Sequence, residues 1–255
     1  MNILKKVYLT IEGYDLIRQD ETLLCAVSGG PDSVAMLHIL KELNDVQQMA
    51  WKIHVAHVNH GLRGKASDED EEFVKSLAEK FKLPFHSTKV DVKAVQQKEK
   101  KTLEEAGREV RHGYLEKVSL EINAQKIALA HNLDDQAETV LMNLLRGAGV
   151  RGASGMAERS RLGAKTVWRP LLGTSRQEIL EYARQHALEW IEDESNRNEA
   201  LTRNFIRRSD GPLLAQKSPQ WKESLGRAAR HFAKKEAGRE ELLRGFLRSR
   251  GLKAP

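Results

Sequence analysis

Short apolar runs alternate with amphipathic stretches along most of the chain. Residues 22–27 (TLLCAV), 52–58 (KIHVAHV), 84–90 (PFHSTKV), 126–131 (KIALAH) and 166–172 (TVWRPLL) read as strands. Most of these runs are apolar at consecutive positions, which suits a sheet covered on both faces. Helix signatures lie between them. Ser67 with Asp70, Thr102 with Glu105 and Ser175 with Glu178 fit capping boxes, in which two orphan amides are satisfied reciprocally. After Ser67, the residues Phe73, Val74, Leu77, Ala78 and Phe81 follow helical spacing. Strands separated by helices of this length predict right-handed crossovers and a parallel sheet. Ligands of such sheets bind beyond the carboxyl ends of the strands, so residues just after each strand carry the most interest.

Beyond Asn204 the strand signal disappears. Trp221, Leu225, Ala228 and Phe232, then Leu242, Phe246 and Leu247, trace apolar stripes on basic helices. The expected organisation is an α/β domain over residues 1–207 and a small, basic helical region over 208–255.

Composition narrows the class without naming a function. The chain has 255 residues, 40% apolar and 31% charged, as a soluble globular protein does. No apolar run approaches the roughly 20 residues needed to span a bilayer. The first residues, MNILKKVYLTIEGYDLIRQDE, carry acids too early for a secretory leader. The single cysteine, Cys25, excludes a disulfide framework, a CxxC redox pair and a cysteine-built metal site in this chain. These features give a cytoplasmic reading with no membrane partner. Net charge is +6, but 14 Lys/Arg against 5 Asp/Glu follow residue 202, a balance of +9 over a body at −3. Such asymmetry points to a polyanion partner, or to a solvated helix surface.

The sharpest local signal is VSGGPDS at residues 27–33, between the first predicted strand and a helical run. Gly29 and Gly30 allow close backbone approach. The amides of Gly29, Gly30 and Ser33 are then expected to face an anion at a helix N-terminus, with Ser28 and Ser33 adding hydroxyl donors. Asp32 is a poor direct partner for phosphate, so its expected use is a Mg²⁺ ion bridging phosphates. A Lys after the glycines is lacking, so this is not a Walker loop, and GxGxxG does not occur. A plain strand-to-helix turn is the competing reading.

Ser28-Gly29-Gly30-Pro31-Asp32-Ser33 resembles the PP-loop of the ATP pyrophosphatases, which cleave ATP to AMP and pyrophosphate. Further stretches follow in order: His57-Val58-Asn59-His60-Gly61-Leu62-Arg63, Glu105-Ala106-Gly107-Arg108-Glu109-Val110-Arg111, and Ala130-His131-Asn132-Leu133-Asp134-Asp135-Gln136-Ala137-Glu138-Thr139 running on to Arg146-Gly147-Ala148-Gly149. Arg169-Pro170-Leu171-Leu172 with Ser175-Arg176, Asp193-Glu194-Ser195-Asn196, and Arg203-Asn204-Phe205-Ile206-Arg207 complete the set. Over residues 22–212 this series resembles the tRNA(Ile)-lysidine synthetase family. The resemblance implies a Rossmann-like PP-loop fold, with helices on both faces of the sheet. It also implies ATP and Mg²⁺ as cofactors, and tRNA(Ile) with a CAU anticodon and free L-lysine as substrates. The implied reaction joins lysine to C2 of the wobble cytidine through an adenylated intermediate. Two departures stand out. The family's Ala-Arg-x-x-Arg-Tyr carries Gly107 for the alanine and His112 for the tyrosine, and many members continue into further C-terminal domains.

Each candidate has a bland counterpart. Asp134 and Asp135 suit a helix N-terminus on dipole grounds alone. Next to His131 they also suit proton transfer or metal binding. The resemblance implies catalytic roles for Asp135, His131 and Arg108, with Asp32 and Asp135 as metal ligands; which of His131 and Asp135 serves as base stays open. Arg108 and Arg111 share a helix face, suited either to surface ion pairs with Glu104 or Glu105 or to a phosphate or carboxylate clamp. His57, Asn59 and His60 are candidates for the nucleotide pocket. Arg203, Asn204 and Arg207 suit tRNA steering or domain packing equally. A different PP-loop enzyme such as a tRNA thiolase, or a non-catalytic ATP- and tRNA-binding module, is the alternative. The oligomeric state stays open, a homo-oligomer included.

Overall fold

The structure is a computed structural model and describes residues 2–13, 17–192 and 206–250. It divides into two compact units, Met1–Asn132 with Glu158–Asp193, and Leu133–Ala157 with Glu194–Pro255. The division expected at residues 207 and 208 therefore falls inside the second unit, which also takes in residues 133–157.

In the first unit the elements are α1 (Ile3–Gly13), β1 (Thr22–Ala26), α2 (Pro31–Gln47), β2 (Lys52–Asn59), α3 (Lys65–Lys80), β3 (Phe85–Lys89), α4 (Val92–Glu99), α5 (Leu103–Glu121) and β4 (Lys126–Ala128), then β5 (Arg159–Leu162), β6 (Lys165–Trp168) and α8 (Arg176–Gln185). The sheet order is β3-β2-β1-β4-β6-β5, parallel except for the β5–β6 hairpin. All five expected strands form, most of them shorter than their apolar runs. The edge strand β5 was not expected, because its sequence RSRL has no β-branched residue and an alternating, half-exposed pattern.

Alternation along β1 assigns the two faces. Leu23 and Cys25 join the core formed with Val34, Leu37 and Leu40 of α2, Val74 of α3 and Ile179 of α8. Leu24 turns the other way, toward Leu115 and Val118 of α5, together with Ile127 of β4 and Val167 of β6. Ile3, Val7 and Ile11 of α1, at four-residue spacing, are buried in the first core.

Two of the three expected capping boxes form, at Thr102–Glu105 and Ser175–Glu178. The third does not. Helix α3 begins at Lys65 with Gly64 as its cap, three residues earlier than expected, so Ser67 lies inside its first turn and its hydroxyl accepts from the Arg63 amide at 3.1 Å.

The second unit holds α6 (Leu133–Leu145), α7 (Val150–Ala153), a π-turn at Ile206–Asp210, α9 (Gly211–Lys217) and the long α10 (Trp221–Ser249). Trp221 and Ile206 are buried against Ala137, with Leu141, Met142 and Leu225 around them. This part of the C-terminal stripe is helix-packing core. The later stripe is not, since Leu242 and Phe246 are 78% and 56% exposed. Among the described residues no helix is long and apolar enough to cross a membrane.

Candidate active site

The direction of strand progression reverses between β1 and β4, because β2 and β3 extend the sheet to one side and β4, β6 and β5 to the other. The segment after β1 thus opens at the switch point, where open α/β sheets bind ligands. It is the Ser28–Ser33 loop.

The loop is held from within and from behind. Ser33 Oγ donates to the Gly30 carbonyl at 2.9 Å and accepts from the Ser28 amide at 3.2 Å. Gly29 has φ +95°, a region L side chains rarely adopt, and its carbonyl accepts from the Ile191 amide at 2.9 Å. A Cβ on Gly29 would lie 2.6 Å from Ile191 Cδ1, the end of a side chain that can shift, so the torsion is what requires glycine. Pro31 opens α2 at a position whose missing N–H costs nothing. The expected set of inward amides is corrected in part. The Ser33 amide closes the first turn onto the Gly30 carbonyl at 3.1 Å, and the Gly30 amide lies 3.4 Å from Ser28 Oγ. The Gly29 amide donates to no acceptor among the described residues.

Asp32 sits in the first turn of α2. Its Oδ1 accepts from the Asn132 side-chain amide at 3.1 Å and its Oδ2 from Arg176 Nη1 at 3.2 Å. Asn132 comes from the segment after β4 and Arg176 is the first residue of α8, so three separate carboxyl-edge segments converge on one carboxylate. Neither partner was assigned a role from sequence, although both lie within quoted motifs. A signal existed for Arg176, because a cation in the first turn of a helix opposes the helix dipole unless an acid faces it.

The end of β2 is divided between two roles. His57 is buried, with Nδ1 donating to the Val27 carbonyl at 2.9 Å; in the neutral ring this leaves the lone pair on Nε2. Asn59 does not face a pocket as expected. Its amide donates to Asp68 at 2.9 Å and Glu71 at 3.0 Å, and its carbonyl accepts from the Gly61 amide at 3.0 Å. It is a buried pin between β2 and α3.

A cationic group lies across α5 and the ends of β2 and β6. The His112 imidazole is pushed down to about 4, first by burial and then by the charges of Arg108, Arg111 and Arg169. Arg169 is buried, with Nη1 donating to Ser160 Oγ at 2.9 Å. Its guanidinium is lowered to about 10 by burial and then by the charge of Arg108. His60 is held below the usual histidine range by burial, Arg111 and His57, and its buried Nδ1 has no hydrogen-bond partner among the described residues. The alternative of surface ion pairs for Arg108 does not form: Glu105 closes the Thr102 capping box, and no carboxylate pairs with Arg108 among the described residues. Arg108, with no carboxylate paired to it among the described residues, is the member of this group placed to meet an anionic ligand.

His131 is half-buried in the segment after β4, in the first unit. In the second unit, Asp134 is paired with Lys222 of α10, a structural tie. Gln136 also holds structure, accepting from the Met156 amide at 2.7 Å. Asp135 lies half-buried in the first turn of α6, and Glu138 is buried one turn on. Asp193, Glu194, Ser195, Asn196, Arg203, Asn204 and Phe205, and the side chain of Arg207, lie outside the described residues.

A family model described as a PP-loop domain matches residues 3–214. Among curated relatives, the Bifunctional protein TilS/HprT of Listeria monocytogenes is 44% identical over 84% of this chain and 33% of its own length. The tRNA(Ile)-lysidine synthase of Geobacter sulfurreducens is 42% identical over 96% of this chain and 51% of its own length. The chain thus spans between a third and about half of these relatives. Among solved structures, the U34-tRNA thiolase NcsA from Methanococcus maripaludis with its [4Fe-4S] cluster superposes with a TM-score of 0.72 over 91% of this chain and 78% of that chain, at 20% identity, a likeness of fold alone. With the loop at the switch point and the family model spanning both sides of it, the chain belongs to the PP-loop domain family.

Proposed function

We propose that this chain carries the catalytic part of a tRNA(Ile)-lysidine synthetase acting in the cytoplasm. The observation that carries the reading is the convergence of Asn132 and Arg176 on Asp32 at the mouth of the Ser28–Ser33 loop. The relatives named lysidine synthase supply the substrate class. In this reading Ser28, Gly29, Gly30, Pro31, Asp32 and Ser33 hold the pyrophosphate end of ATP. The Gly29 amide and the α2 N-terminus face its charge.

The C2 oxygen of the wobble cytidine attacks the α-phosphate, the bond to pyrophosphate breaks, and an adenylated base forms. The lysine ε-amine then adds at C2 and AMP leaves with the oxygen. The ammonium must first lose a proton, since its free pKa is about 10.4. His131 or Asp135 accepts it. Arg108 binds the lysine carboxylate, and Arg169 and His112 are the neighbours that leave its charge uncompensated.

Asp32 suits a Mg²⁺ ion. It is a carboxylate with 22% of its side chain exposed, each oxygen bears one of the two hydrogen bonds described, and Mg²⁺ commonly takes one or two carboxylates with phosphates and waters. Such an ion offsets charge developing on the phosphate oxygens. Asp135 is proposed as a further metal ligand.

A thiolase is the second reading. The chain's one cysteine is buried within β1 and its thiol is raised well above the usual range, which disfavours sulfur chemistry on it. The deciding experiment measures pyrophosphate release from labelled ATP against a panel of amino acids and anticodon-variant tRNAs. Multiple-turnover release that requires both CAU-anticodon tRNA(Ile) and lysine supports the proposal. Multiple-turnover release indifferent to lysine, or no release at all, overturns it.

A further inference from the structure

Helices α2 and α8 meet at two places. Near their starts Arg176 bonds Asp32, and six residues further along each helix Tyr182 meets His38, with its hydroxyl 2.7 Å from Nδ1. The same hydroxyl donates to Glu42 Oε2 at 2.7 Å. His186 caps the end of α8, its ring centroid 5.0 Å from that of His38 and 4.2 Å from that of Tyr182. One nitrogen or carboxylate oxygen from each of His38, Glu42 and His186 lies within 4.8 Å of the other two. None of these residues belongs to the proposed ATP or lysine machinery.

We propose that His38, Glu42 and His186 bind a divalent transition-metal ion, with Zn²⁺ as the ion whose donor preference they match. Two imidazoles and a carboxylate form a Zn²⁺ donor set that leaves a fourth position for water. His38 and Glu42 are four residues apart on α2 and so share one face, as two ligands drawn from one helix must. His186 approaches from the second helix and is exposed, so its ring can rotate inward. Tetrahedral Zn²⁺ bonds of about 2.0–2.2 Å separate ligand atoms by about 3.4 Å, so from separations within 4.8 Å closure needs a contraction of at most about 1.4 Å.

Tyr182 now stands where an ion would draw the group together, because its hydroxyl already joins His38 to Glu42. Access is open. His186 and Tyr182 line a cavity of about 270 Å³ against the start of α1, and Glu42 lines another of about 240 Å³ beside it.

The test is calorimetric titration of the full chain with Zn²⁺ alone, backed by the visible absorption of Co²⁺. One ion per chain is expected, with a four-coordinate Co²⁺ spectrum. His186→Ala and, separately, Glu42→Gln should weaken Zn²⁺ binding at least about ten-fold and remove the Co²⁺ bands. His86→Ala is the control, because His54 and His86 form the other close pair, at 3.0 Å on β2 and β3. Absence of saturable binding overturns the proposal. So does binding that survives both His186→Ala and Glu42→Gln, or that His86→Ala abolishes.

Discussion

Asp32 and Arg176 are bonded at 3.2 Å although 144 residues separate them, and each stands in the first turn of its own helix. The acid suits its helix dipole and the arginine opposes its own, so the pair makes Arg176 tolerable where it is. Asp32→Ala should therefore lower pyrophosphate release by at least about 100-fold, as loss of a positioned charge at a reacting phosphate does. Far-UV circular dichroism should be unchanged. A folded Asp32→Ala protein with full release would remove the loop from the mechanism.

Gly29→Ala should destabilise the protein by about 1–3 kcal/mol, from a disallowed torsion and a contact too close to Ile191. Adding Ile191→Ala relieves the contact and leaves the torsional part. Urea unfolding of the single and double variants separates the two.

Gly107→Ala should do the opposite. Gly107 lies inside α5, and an added Cβ would meet the His60 ring and Val92 at 3.8 Å, an ordinary contact. The expected gain is about 0.5–1 kcal/mol, read as a higher melting temperature.

Stability should fall on mild acidification. His112 stays neutral in the fold down to about 4, whereas the unfolded chain takes up that proton near 6.5. Between these values the unfolded state binds more protons, so lowering pH through the window favours unfolding. His112→Tyr should flatten this slope in urea titrations between pH 7 and 4. Arg108→Ala should raise the His112 pKa in an NMR titration, and should raise the apparent KM for lysine more than that for ATP.

Lys234 and Lys235 are exposed on α10. If the basic helix contacts tRNA phosphates, replacing both with Glu should weaken tRNA binding and reduce the steepness of its salt dependence by up to about two counterions. An unchanged slope would place the contact surface elsewhere.

The first strand was legible because it is a run of apolar residues buried on both sides, at Leu23, Leu24 and Cys25. The loop was legible because glycine, proline and serine each have a local reason to stand where they do. What escaped depended on contacts far apart in sequence. Asn132 and Arg176 acquire meaning only when the sheet places them beside Asp32. Asn59 looked like a ligand-edge residue until Asp68 and Glu71 took its amide. β5 forms because β6 offers it an edge, with Gly163 turning between them, and not because RSRL favours extension.

The order in which the two units use the chain bears on how it folds during synthesis. All six strands have been made by Trp168, so the sheet can close while the ribosome is still adding the rest. Helix α6 cannot settle so early. Ala137, Leu141 and Met142 are covered by Ile206, Trp221 and Leu225, which are translated much later. Until Trp221 emerges, an apolar helix face hangs from a domain already formed, the kind of surface that chaperones bind and that promotes aggregation. A chain cut before α10 would keep that face uncovered for good.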